Sequence, residues 1–241
     1  MMAGRRRIAI YGGTFDPVHV GHAAVARSLQ LLFGLDEILF VPAYVAPHKR
    51  DRKVSPAFDR HAMLVLATQG EESFRISTVE LSAPERPYTV ETLTKFCETL
   101  GETARLFFIM GADSWEEITT WREWKRVLAL TDHLVVTRPG YELPVGHVTE
   151  AVRERIVDVR GATRERVAAA LEETGGPRVY LTDAVNVKMA ATDVRAAVAR
   201  DDWGALEALV APAVAEYIRK YGLYRETDGT EFSDAGIKGT H

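Results

Sequence analysis

The sequence predicts an α/β protein, a doubly wound and mainly parallel sheet followed by a helical C-terminal part. Three observations carry that expectation. Short apolar runs alternate with longer segments of helical periodicity, which is the pattern of βαβ units. Runs such as Ile8–Tyr11 and Ala104–Met110 are apolar almost throughout, as befits strands covered on both faces. The chain has 241 residues, 46% of them apolar and 27% charged, so it can bury a sizeable core and is not a disordered polymer.

The elements follow in order. Ile8–Tyr11 is a buried strand stopped by Gly12-Gly13, and Val20–Phe33 is a helix with a broad apolar face. Ile38–Val41 is the next strand, ended by Pro42. A loop rich in proline and charge, 43–56, leads to a helix over Ala57–Thr68. Phe74–Val79 alternates like a strand, Tyr88–Leu100 is a helix, and Ala104–Met110 is a strongly apolar strand. Short helices over Ser114–Ile118 and Glu123–Leu130 precede the strand His133–Thr137. Between Glu142 and Pro177 the charges alternate in sign, among them Glu150, Arg153, Glu154, Arg164 and Glu165, so this stretch is expected as a surface insertion. Val179–Thr182 is a last strand, and Thr192–Ala199, Trp203–Val210 and Ala213–Tyr221 are helices. One domain is expected over 1–225, with a polar tail over 226–241 expected to be disordered.

Charge and composition exclude several classes. Thirty Lys+Arg against 34 Asp+Glu leave a net charge of −4, which argues against a protein that coats nucleic acid or an anionic membrane. No apolar run approaches the roughly 18–20 residues that span a bilayer. Arg5-Arg6-Arg7 has the charge of a signal peptide, but Ile8–Tyr11 is too short for its apolar core. The single cysteine, Cys97, excludes an internal disulfide framework and a cysteine-built zinc site, and a cytoplasmic location is the simplest expectation.

In a doubly wound sheet, ligands sit beyond the carboxyl ends of the strands. The segment Gly12-Gly13-Thr14-Phe15-Asp16-Pro17-Val18-His19-Val20-Gly21-His22 lies there, joining the first strand to the first helix. Paired glycines let a backbone approach a ligand closely, and the following helix start offers free N–H groups to a phosphate. The segment is neither a P-loop nor a GxGxxG turn. His19 and His22, three residues apart, share one helix face. They suit charge developing on a phosphoryl group. Two other readings stand beside this one: a tight turn with buried histidines, and a metal pair, for which HExxH or a third ligand is missing.

Further along, Asp113 after Gly111 suits a ribose hydroxyl and equally suits a helix N-cap. Thr89 and Thr192 are each placed to cap a helix. Trp115, Trp121 and Trp124 follow a strand's carboxyl end, where an aromatic face can stack on a flat ring.

The segment 12–22 resembles the signature of nucleotidyltransferases with a His-x-Gly-His motif, and more narrowly that of the bacterial nicotinate-mononucleotide adenylyltransferases. Pro47-His48-Lys49, Pro87–Leu93, Phe108–Ser114, Trp121, Arg138–Tyr141 and Thr192–Arg195 fall in that family's order, as does Pro212–Tyr224. The resemblance implies a Rossmann-like fold and transfer of AMP from MgATP to the 5′-phosphate of nicotinate mononucleotide. The products would be deamido-NAD and pyrophosphate, in NAD biosynthesis. It implies His19 and His22 as the catalytic pair, and Gly12, Gly13, Thr14, Phe15, Gly111, Asp113, Arg138, Thr192 and Arg195 on ATP. His48 and Lys49 would contact phosphate, while Thr89 and Trp121 would hold the pyridine nucleotide. Trp115 and Trp124 are then packing residues.

Mg²⁺ would come with ATP, with no metal site of the protein's own. The implied partners are ATP and nicotinate mononucleotide, with no nucleic acid or membrane, and a homo-oligomer stays open. One departure stands out. Where the family has Ile-Ser-Ser-Thr, this chain has Met189-Ala190-Ala191-Thr192. That departure motivates one rival, a nucleotide-binding or regulatory protein without catalysis; a neighbouring reading keeps the chemistry and changes the acceptor to nicotinamide mononucleotide or another phosphorylated alcohol.

Overall fold

The computed structural model describes residues 5–44, 54–83, 85–173, 175–183 and 189–225. Its strands are β1 (Arg6–Gly13), β2 (Glu37–Pro42), β3 (Phe74–Ile76), β4 (Ala104–Gly111), β5 (Asp132–Val136), β6 (Ile156–Asp158) and β7 (Val179–Thr182). They form one sheet in the order β3-β2-β1-β4-β5-β7-β6, and every neighbouring pair is parallel. The chain leaves β1 toward β2 and β3, then crosses back to β4 on the other side of β1. The carboxyl ends of β1 and β4 therefore flank the point where the winding reverses, and the crevice of such sheets opens there.

Both faces of the sheet are covered, which explains the continuous apolar runs. One face carries Ala9, Ile38, Phe40, Phe107, Ile109, Leu134 and Tyr180. Against them pack α1 (Val20–Phe33), α2 (Ala57–Thr68), α7 (Arg164–Leu171), α8 (Ala191–Ala199), α9 (Trp203–Leu209) and α10 (Pro212–Tyr221). The other face carries Ile8, Ile10, Leu39, Val41, Leu106, Phe108, Met110 and Val135. It is covered by α3 (Thr89–Leu100), α4 (Ala112–Glu116), α5 (Trp124–Leu130) and α6 (Glu150–Arg153). The period of two along each strand sorts these residues between the faces.

Local chemistry sets the element ends. Gly34 closes α1 at φ 60°, where its N–H bonds the Gln30 carbonyl, a conformation that costs a Cβ-bearing residue about 1 kcal/mol or more. The buried α1 residues Ala26, Leu29 and Phe33 recur at helical spacing on the core side.

The structure differs from expectation in several places: β1 runs on through Gly12-Gly13, and the helix expected over Ser114–Ile118 spans Ala112–Glu116. The strand expected over Phe74–Val79 ends at Ile76, and Ser77 turns away after its N–H bonds the Phe40 carbonyl. The stretch 142–177 does not stand off as a surface insertion. It supplies β6 at the sheet edge and buries Val148, Val152, Val159, Val167 and Leu171, while its alternating charges face solvent. Arg105 helps to bind it in, donating to Asp132 at 2.6 Å, to the Leu171 carbonyl at 2.5 Å and to the Tyr180 hydroxyl at 3.3 Å. The helix expected from Thr192 begins one residue earlier, with Ala190 as its N-cap. The tail 226–241 lies outside the described residues.

Candidate active site

Gly12 and Gly13 end β1 beside Val41 and Pro42 of β2. Both are tightly covered. A Cβ on Gly13 would lie 2.9 Å from the Phe15 ring, and one on Gly12 would lie 3.3 Å from the Phe108 ring. The chain then turns through Phe15, whose φ is 49°. Phe15 is buried, with its ring against Tyr11, Phe40 and His22, so only its backbone is left to meet a ligand.

Arg60 of α2 fastens this turn from beneath. Its guanidinium is fully buried and donates to the carbonyls of Thr14 at 2.7 Å, Tyr44 at 2.9 Å and Ser55 at 3.0 Å. Asp16 fastens it from the other side. Its carboxylate accepts from the Tyr224 hydroxyl at 2.7 Å, and its carbonyl accepts from Arg195 at 2.5 Å. Two C-terminal residues thus hold a loop near the N-terminus.

His19 and His22 open α1 with ring centroids 3.8 Å apart. The His19 backbone N–H donates to His22 Nδ1 at 3.2 Å. That bond leaves the proton of a neutral His22 on Nε2. His19 is 8% exposed, and its buried Nδ1 has no hydrogen-bond partner. Burial lowers its pKa to about 4, against a smaller opposing pull from Asp193 at the start of α8. His19 is therefore neutral at pH 7. Adding negative charge beside it would favour its protonated form.

A cleft of about 470 Å³ opens next to this turn. Gly12, Gly13 and Thr14 form one wall, Tyr88, Thr89 and Thr92 of the α3 start another, and Thr120, Trp121 and Arg122 a third. The structure thus brings Gly12, Gly13, Thr14, Thr89 and Trp121 into one cavity. The Trp121 ring stands edge-on to Phe108 with centroids 6.4 Å apart. Trp115 is buried instead, with its indole N–H on the Pro144 carbonyl at 2.8 Å. Tyr88 is the N-cap of α3, and its own N–H bonds Glu91 at 2.8 Å.

Gly111, Asp113, Arg138, Thr192 and Arg195 stand at the same end of the sheet. Gly111 ends β4 and is itself the N-cap of α4, so the expected cap at Asp113 is corrected: Asp113 is an exposed residue of that helix's first turn. Arg138 is exposed just beyond β5. Thr192 is exposed in the first turn of α8 and does not cap it, because Ala190 occupies that position and Asp193 bonds the Ala190 N–H at 2.8 Å. Arg195 holds the Asp16 carbonyl. His48 and Lys49 lie outside the described residues. Among the described residues, no group of three or more His, Cys, Asp or Glu could hold a metal ion, and no helix is long and apolar enough to cross a membrane.

Sequence reasoning passed over Arg60, Glu80 and Arg122. Arg60 had a readable signal, a charge on the same helix face as the apolar Met63 and Leu64. Glu80 had none. It lies in a turn, lines the cleft and accepts the Thr92 hydroxyl at 2.8 Å, and burial raises its pKa.

The cytidylyltransferase-like family model matches residues 10–197, which include all of this arrangement except Tyr224. A "probable nicotinate-nucleotide adenylyltransferase" of Thermoanaerobacter is 33% identical over 222 residues, covering 92% of this chain and 96% of that protein. Its namesake in Desulfatibacillum aliphaticivorans is 35% identical over 222 residues, covering 90% and 99%. The chain belongs to the nicotinate-nucleotide adenylyltransferase family, within the cytidylyltransferase-like proteins. A Plasmodium falciparum nicotinic acid mononucleotide adenylyltransferase, solved in complex with NaAD, superposes with a TM-score of 0.65 at 20% identity. It covers 91% of this chain and 97% of its own, a likeness of fold. In this family member the switch-point crevice, the glycine turn and the paired imidazoles occupy one end of the sheet.

Proposed function

We propose that the chain transfers AMP from MgATP to the 5′-phosphate of nicotinate mononucleotide, giving deamido-NAD and pyrophosphate. Family membership supports the reaction class. The observation that carries the reading is the pairing, at one switch point, of an imidazole-flanked glycine turn with a cleft that presents Trp121.

An acceptor phosphate oxygen attacks the α-phosphorus of ATP in line. The bond to the bridging oxygen breaks, and pyrophosphate leaves with its electron pair. The protein forms no covalent bond, so its work is positioning and stabilising charge on the phosphoryl oxygens. The Gly12–Thr14 backbone gives close approach, His22 offers its Nε2 proton, and His19 supplies a second imidazole held ready by burial. Mg²⁺ enters on the polyphosphate as part of the substrate. Asp113, Arg138 and Thr192 contact the ATP half, and Trp121 with Thr89 takes the pyridine half.

The test is pyrophosphate release with MgATP and either nicotinate or nicotinamide mononucleotide. The expected result is turnover with a kcat/KM at least about tenfold higher for the acid, a difference of roughly 1.4 kcal/mol. His19→Ala should lower kcat by about 10²–10³ with the fold intact by circular dichroism, the usual scale for losing one preorganised donor. Turnover with neither mononucleotide, despite ATP binding, would overturn the proposal.

A further inference from the structure

We propose that residues 141–148 form a strap that fixes Asp113 and Arg138 against each other on the ATP side of the site, with Tyr141 and His147 as its positioning residues. The inference rests on the proposed reaction, which gives Asp113 and Arg138 to ATP, and it assigns a role to part of the stretch 142–177.

The helix that carries Asp113, α4, has only five residues. So short a helix does not hold itself in place, and what fixes it must come from outside. The buried Trp115 ring supplies one anchor. The strap supplies three hydrogen bonds. The Pro144 carbonyl accepts from the Trp115 indole N–H at 2.8 Å, and the Tyr141 hydroxyl donates to Glu116 at 2.6 Å. His147 Nε2 lies 2.9 Å from the Trp115 carbonyl. A carbonyl only accepts, so Nε2 is the donor. The Nδ1 of the same ring is buried without a hydrogen-bond partner, which leaves the Trp115 carbonyl as the polar contact this imidazole makes.

Arg138 is tied in through the start of the strap. The Tyr141 N–H bonds the Arg138 carbonyl at 3.0 Å and closes a turn in which Gly140 has φ 76°, the left-handed corner that a type II turn gives to glycine. The residue that closes the Arg138 turn is thus the one whose hydroxyl holds Glu116 of α4. The strap is itself anchored at both ends. Arg160, paired with Asp158 at 2.5 Å, donates to the Tyr141 carbonyl at 3.1 Å. Arg153 of α6 donates to the Val148 carbonyl at 2.7 Å, and the side chains of Leu143 and Val148 are buried between these points.

The experiment measures KM for ATP and for nicotinate mononucleotide, and the Kd of MgATP by calorimetry, in the wild type, Tyr141→Phe, His147→Ala and His147→Gln. Tyr141→Phe and His147→Ala should each raise KM for ATP and the MgATP Kd about threefold to tenfold, the range that one lost hydrogen bond spans. KM for nicotinate mononucleotide should move less than about twofold. His147→Gln, whose side-chain NH₂ can replace the Nε2 donor, should return the ATP values toward those of the wild type. A merely structural contact would lower the active fraction and leave both KM values where they were. Tyr141 is exposed, so its variant keeps the test open if His147→Ala fails to fold. Wild-type turnover with an unchanged KM for ATP in Tyr141→Phe and His147→Ala overturns this inference alone. MgATP binding without turnover in the wild type overturns the proposed reaction, and the Kd values then decide this inference by themselves: a rise in the two variants upholds it and equal values overturn it.

Discussion

His133 lies inside the sheet with no exposed surface, its Nδ1 2.9 Å from the Thr131 carbonyl and its Nε2 without a partner. A carbonyl can only accept, so Nδ1 carries the proton of a neutral ring. Burial is the main cause that lowers its pKa from 6.5 to about 3, and the nearby Arg155 charge adds to it. Below pH 6.5 the unfolded chain binds a proton that the folded chain refuses. Stability from this group is therefore complete above pH 6.5 and is lost as pH falls toward 3. The loss is about 1.4 kcal/mol per pH unit, or about 2 kcal/mol at pH 5, a large share of a typical total of about 5–15 kcal/mol. Substituting His133→Gln keeps an N–H donor and removes the titration. Urea unfolding followed by tryptophan fluorescence at pH 7.5 and pH 5 should give a variant whose stability falls about 2 kcal/mol less between the two pH values. His19, lowered to about 4, continues to act in the same direction in both proteins. An identical pH dependence in the two would show that His133 is not held neutral by burial.

Two further outcomes follow from the contacts around the β1–α1 turn. Tyr224→Phe removes the hydroxyl that donates to Asp16; thermal unfolding should show a loss of about 1.5–3 kcal/mol, the range for a hydrogen bond to a charged group. Because the same turn carries His19, kcat should fall alongside, while KM for the pyridine nucleotide should hold nearly constant. Ala190→Ser places a hydroxyl at the N-cap of α8, where none now exists. It should raise stability by about 1 kcal/mol and lower the KM for ATP, read from melting curves and steady-state rates on the same preparation.

The order of strands and helices was readable because burial on both faces forces continuous apolar runs. Gly12-Gly13 and Pro42, expected to stop β1 and β2, are instead the last residues of those strands, so the ends were located closely but slightly early. The stretch 142–177 misled because its charges dominate the pattern while β6 is only three residues long. A short edge strand needs a neighbour to be recognised, and that neighbour, β7, comes some twenty residues later. Residue types and spacing marked Gly12, Gly13, His19, His22 and Trp121 for attention. They could not show that Phe15 turns its ring into the core, or that Arg195 spends its guanidinium on the Asp16 carbonyl.

What the sequence determined by itself was the class of fold and the end of the sheet where chemistry belongs, because both follow from local periodicity and the chirality of βαβ units. What tertiary structure alone decided was the assembly of the site. Gly12, Glu80, Thr89 and Arg122 line one cleft although they are scattered over more than a hundred positions. The neutral state of His19 was decided there too, because desolvation depends on what packs around a ring. Such proximities are set by how helices close over the sheet, and no local pattern encodes them.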